Sequence, residues 1–124
     1  MLCLSCKKDN KTNASLVGVW VDKDRQEDTL VVYQLGNKSI MFDNSHYFRT
    51  NLAALAHPNI YKFQYRLKEK DNKIGIKAFE APPNDPYVDY EFQWIIYKEE
   101  FRMSKNGIRP YLSSIGIINY KRVH

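Results

Sequence analysis

A chain of 124 residues is expected to form one domain with a real core, and nine Tyr, six Phe and two Trp suit pleated, half-buried surfaces. The formal charge is +5, but Lys7, Lys8 and Lys11 against Asp9 place two of those charges in the first dozen residues. The remaining surplus is too small to argue for a nucleic-acid partner, and no run reaches the ~18–20 apolar residues of a membrane-spanning helix.

Cys3 and Cys6 have the spacing of half a zinc site or of a redox pair. The sequence holds no further cysteine, and His46, His57 and His124 are scattered without ligand spacing. No strand-to-helix context is present to lower a thiol pKa. Neither a metal nor a cofactor is expected. Residues 7–15 carry no apolar periodicity and read as a flexible tether.

From Leu16 the apolar pattern has period two, which predicts strands over 16–21, 29–35 and 38–43, with Gly36-Asn37 as a tight turn. Residues 44–58 break the rhythm. Leu52-Ala-Ala-Leu-Ala56 favours a short helix, with Thr50 or Asn51 as cap and Pro58 as stop. Alternation resumes over 60–68, with Tyr61, Phe63, Tyr65 and Leu67 on one face. A strand over 73–79 and a stiff Pro82–Tyr87 loop follow. Over 88–98, Tyr90, Phe92, Trp94 and Ile96 are expected to point inward. A short strand at 101–103, a hairpin turn at Asn106-Gly107 and a closing strand over 116–123 complete the chain. About eight strands with one helical interruption predict an all-β, antiparallel up-and-down barrel, which hides every sheet edge.

Two resemblances sharpen this reading. The segment Ser5-Cys6-Lys7-Lys8-Asp9 resembles the end of a bacterial lipoprotein signal peptide of the Bacteroidetes type. That implies lipid on Cys6, a cell-envelope location, and attachment to the outer membrane as the expected site. Gly18-Val19-Trp20 on the first strand resembles the Gly-x-Trp of lipocalins. The lipocalin resemblance implies an up-and-down barrel closed by a basic residue of the last strand, Arg122 or Lys121, set against Trp20. The chain then divides into a signal remnant and tether, 1–15, and a lipocalin-like barrel, 16–124.

Tyr61, Phe63, Tyr65, Tyr90, Phe92 and Trp94 are the candidate ligand-binding residues, since inward aromatics can line an apolar pocket. The same residues can equally fill the barrel, because eight strands leave room for side chains or for one small ligand. Lys62, Arg66, Lys68 and Lys70 form a basic stripe that Asp89 and Glu91 can neutralise. Asp43, Ser45 and His46 bring triad residue types together, but adjacency in sequence is not triad geometry. Glu99 and Glu100 are adjacent and point to opposite faces of a strand. No catalytic residue is expected. The sequence thus predicts a non-catalytic envelope lipoprotein that binds a small apolar or amphipathic ligand. The alternative is a protein-interaction or inhibitor module with a filled core that acts through its loops. Partners are expected to be the membrane, through Cys6, and either such a ligand or an envelope protein, not nucleic acid.

Overall fold

The computed structural model describes residues 12–109 and 116–124. Cys3 and Cys6, with the signal remnant, lie outside the described residues. Eight antiparallel strands close into an up-and-down barrel: β1 (Gly18–Asp22), β2 (Thr29–Leu35), β3 (Lys38–Asn44), β4 (Lys62–Lys68), β5 (Lys73–Ala78), β6 (Val88–Ile96), β7 (Glu100–Ser104) and β8 (Ile117–Arg122). Each strand pairs with the next in sequence. β1 then pairs with β8, Trp20 standing opposite Arg122. Closure leaves no unpaired edge to template aggregation.

A helical turn, α1, covers residues 12–14. The β3–β4 connection holds α2 (His46–Thr50) and α3 (Leu52–Ala56). Ser45 caps α2 by accepting from the Phe48 amide, and Asn51 caps α3 by accepting from the Ala54 amide. The chain enters at the end carrying α1 and the tight β2–β3, β4–β5 and β6–β7 turns, called here the α1 end. The long connections, including α2 and α3, gather at the opposite or far end.

Period-two alternation makes the core. Trp20, Leu30, Val32, Met41, Phe63, Tyr65, Leu67, Ile74, Ile76, Phe92, Phe101, Met103, Ile118 and Tyr120 point inward and form one cluster with Leu16 and Ile108. Fully burying one such side chain contributes about 1.5–3 kcal/mol, so this cluster dominates the favourable side of folding.

Four expectations are corrected. Ile96 is exposed, because a β-bulge between Trp94 and Ile96 shifts the register and turns it out of the barrel. Tyr61 ends a 3-10 turn, Pro58–Tyr61, and packs with Phe48, Ala54 and Phe42 in a satellite cluster beneath the helices. Asn106-Gly107 does not reverse the chain as a hairpin. Lys105–Gly107 is a 3-10 turn, after which Ile108 enters the core and Arg109 an ion cluster. Residues 12–15, expected in the tether, pack on the barrel, with Asn13 and Ser15 buried.

Asn13 explains that last correction. Its side-chain oxygen accepts from the Leu67 amide at 2.8 Å, and its amide group donates to Ser39 Oγ at 3.1 Å. Tyr65 Oη donates to the Asn13 carbonyl at 2.6 Å. These bonds satisfy buried backbone groups at the end of β4 that the barrel alone leaves open. α1 therefore covers the barrel floor.

Candidate functional site

At the α1 end, the Arg122 guanidinium carbon lies 4.2 Å from the Trp20 ring centroid. Arg122 donates to the carbonyls of Ser15 at 2.9 Å, Val17 at 2.8 Å and Lys98 at 2.6 Å. Trp20 is fully buried and donates from Nε1 to the Leu16 carbonyl at 2.8 Å. Gly18 makes this possible: a Cβ there would stand 2.5 Å from Arg122 Nη1, and its φ of +139° suits few side chains. Gly-x-Trp thus supplies space and then a ring for one cation. Lys121, the other basic residue considered, is exposed and stands opposite Val21 and Glu100.

Inside the barrel, rings meet across the axis. Phe101 lies 4.7 Å from Trp20, 5.2 Å from Phe92 and 5.2 Å from Tyr120, centroid to centroid. Of the six candidate ligand-binding aromatics, Phe63, Tyr65 and Phe92 belong to this cluster. Tyr90 and Trp94 pack on it half-buried, and Tyr61 lies in the satellite cluster. Five are thus brought together in or against the core, where they occupy the space a ligand would need. Burial raises the Tyr65 pKa well above its ordinary value, only partly offset by a hydrogen bond with Ser39.

The far end holds an arrangement that the sequence reading missed. Arg109 donates to both oxygens of Asp43 at 3.2 Å, a bidentate pair. It also lies 3.4 Å from Asp28 and 3.8 Å from Asp22, and all four side chains are buried. Backbone amides share the load: Asp22 accepts from Asp24 and Arg25, and Asp28 from His46. Burial alone would lower the Arg109 pKa. Its surroundings, Tyr120, Asp43 and Asp28, outweigh that and hold it above the ordinary range. Burial also drives the Tyr120 phenol well above its usual value, and Asp43 pushes it further. With Ile108 seated in the core beside it, Arg109 stoppers the mouth. A signal for this was present: Asp22 and Asp43 keep the inward phase of Trp20 and Met41, two residues earlier in each case.

Other sequence candidates are committed to structure. Ser45 is a helix cap, His46 lies 3.3 Å from Glu27, and Asp43 is held by Arg109, so no triad forms from them. Glu99 pairs with His124 and Glu100 with Lys23. The basic stripe is dispersed: Lys62 lies over the Phe42 and Phe79 rings, and Lys68 pairs with Asp89 at 3.0 Å. Tyr87 is not offered to solvent. It packs on Gly75 beneath Lys77, whose ammonium bonds the Pro82 and Asp85 carbonyls and pins the proline loop to β5. Among the described residues, no group of His, Cys, Asp and Glu is arranged to hold a metal ion.

The two most exposed large apolar residues of the far end, among the described residues, belong to the helical cap. Leu52 is 85% and Ile60 65% exposed, with Tyr47 and Leu55 beside them in sequence. These positions lie on α2, on α3 and in the 3-10 turn before β4. Their exposure comes from the break in period two, which the sequence shows, although the pattern does not say which side faces out.

The fold and its two ends define a closed, up-and-down β-barrel whose interior is occupied by its own side chains. No family model matches the chain, and neither a curated protein nor a solved structure is significantly similar to it.

Proposed function

We propose that this chain is a non-catalytic, lipocalin-like envelope lipoprotein, anchored through lipid on Cys6, that acts as a protein-interaction module from its far end. The observation that carries this reading is the filled interior, crossed by Trp20, Phe92, Phe101 and Tyr120 and stoppered by Ile108 and Arg109. A small apolar ligand inside the barrel would have to displace Ile108 and strip Arg109 from three carboxylates, which is costly for buried ion pairs.

The helical cap is the favoured contact surface. From Asn51 to Tyr61 the chain carries no acidic residue, lysine or arginine, so the exposed Leu52, Leu55 and Ile60 suit an apolar protein surface better than a charged polymer. α2 and α3 sit on the satellite cluster of Phe48, Ala54 and Tyr61, which gives the cap a stiff base and lowers the entropic cost of docking.

The test is intact and native-state mass spectrometry of the protein purified from membranes of its native host. The expected result is a mass with diacylglycerol on Cys6 and no further small molecule. A small molecule retained at one per chain returns the interior to the ligand-binding reading. An unlipidated chain that keeps Met1 overturns the anchoring.

A further inference from the structure

The α1 end carries a small positive surplus of its own. Around the α1 end, Lys38, Lys70, Lys73, Lys98, Lys121 and Arg122 outnumber Glu69, Asp71, Glu91, Glu99 and Glu100 by one. Lys68 is left out because Asp89 holds it. Lys7, Lys8 and Lys11 against Asp9, immediately before α1 in the sequence, add two more positive charges. Of the formal +5, three charges therefore fall on the α1-end residues and on the segment that precedes α1 in the sequence.

That end is also apolar. Ile96 and Tyr97, at the β6–β7 turn, are 51% and 60% exposed, and Val17, Val19 and Val123 lie open beside them. The hydrogen bonds of Arg122 to the Lys98 and Val17 carbonyls, and of the Val123 amide to the Val19 carbonyl, tie the β6–β7 turn to the segments that carry these valines. Lys98 stands at the tip of the turn in the left-handed region, φ 62°, with its ammonium 5.4 Å from the Tyr97 ring. An amphipathic tyrosine next to a long cation suits the headgroup layer of a bilayer, where a ring can be half-immersed and an ammonium meets phosphate. Arg122 has only carbonyl and ring partners among the described residues, so no carboxylate cancels its charge.

We propose that the α1 end docks on an anionic lipid surface, with Ile96 and Tyr97 entering the headgroup layer and Lys98 and Lys121 meeting lipid phosphates. The proposal rests on the envelope reading for its membrane, but not on the acylation of Cys6. The two fit together. Five residues lie between Cys6 and Thr12, a reach of at most roughly 20 Å, so a lipid there holds the α1 end to the bilayer and leaves the helical cap facing away.

The test uses the full-length chain made without lipid, spun down with phosphatidylglycerol vesicles or with neutral phosphatidylcholine vesicles. It is expected to sediment with the anionic vesicles only, and to be released by salt. Lys98→Glu should weaken partitioning by roughly fivefold or more, as expected for losing one cation near a charged surface. Ile96→Asp with Tyr97→Asp should weaken it further, while Leu52→Asp at the far end changes nothing. Circular dichroism confirms that each exposed-site variant is folded. An unlipidated chain that stays in the supernatant with both vesicle types overturns the proposal. So does an equal loss from Leu52→Asp. Because the chain tested carries no lipid, neither result bears on Cys6, which the mass measurement decides separately.

Discussion

Each end of this barrel is held by one arginine, and the two arginines solve opposite problems. Among the described residues, Arg122 at the α1 end meets only backbone carbonyls and the face of Trp20, and part of it remains in contact with water. Arg109 at the far end is buried among Asp22, Asp28 and Asp43. The first is a clasp that ties together segments distant in sequence. The second is a counter-charge, without which three buried carboxylates would lose their cation. A cation among neutral dipoles is expected to be worth less than one whose removal strands buried charge.

Arg109→Ala should therefore show the largest effect, about 3–5 kcal/mol of lost stability in urea unfolding. Joining it with Asp43→Leu should recover part of that loss, because the most buried carboxylate is then removed as well. A single variant that costs under about 1 kcal/mol would mean that the backbone amides alone compensate the aspartates.

Arg122→Ala is expected to cost less, about 1.5–3 kcal/mol, from its charged hydrogen bonds and its ring contact. If it proves the more damaging of the two, the comparison is inverted, and the clasp rather than the counter-charge governs the fold.

The smallest effect comes from Tyr65→Phe, about 1 kcal/mol at neutral pH for its hydrogen bond to the Asn13 carbonyl. Its signature lies in alkali. The folded pKa of Tyr65 is raised by burial, so the folded state holds this proton more tightly than the unfolded chain does. The stabilisation is complete below the unfolded value of about 10 and is lost as pH rises through the folded one. Thermal melts should fall more steeply above pH 10 for the natural chain than for Tyr65→Phe. Equal slopes would assign the alkaline loss to other groups, Tyr120 first.

The same two ends show what a sequence can reveal. Strand alternation is a local signal, and it was enough for the barrel and its strand order, whereas a basic partner for Trp20 on the last strand was expected only from the resemblance that Gly18-x-Trp20 carries. The limits of the inward face were not legible. A bulge after Trp94 and a 3-10 turn before β4 each displaced one residue; the bulge has no mark of its own in the sequence, and Pro58, which starts the turn, reads there only as a helix stop. Asn13 reads as tether because its partners, Ser39, Tyr65 and Leu67, lie 26 to 54 residues away. Arg109 reads as a loop residue for the same reason: Asp43 lies 66 positions earlier. The pairing itself leaves no periodicity to read; only the inward phase of Asp22 and Asp43 marks buried carboxylates in need of a cation.

The pairing of β1 with β8, reinforced by Arg122 reaching back to Ser15 and Val17 across 107 and 105 positions, also sets an order of events. Contacts so far apart in sequence must await the synthesis of both partners, and they slow the search for the native state. Until β8 emerges, the growing chain has an open sheet and an exposed Trp20. It should remain pliable, sensitive to proteases and accessible to chaperones throughout its passage from the ribosome, and lock only when its last strand is delivered.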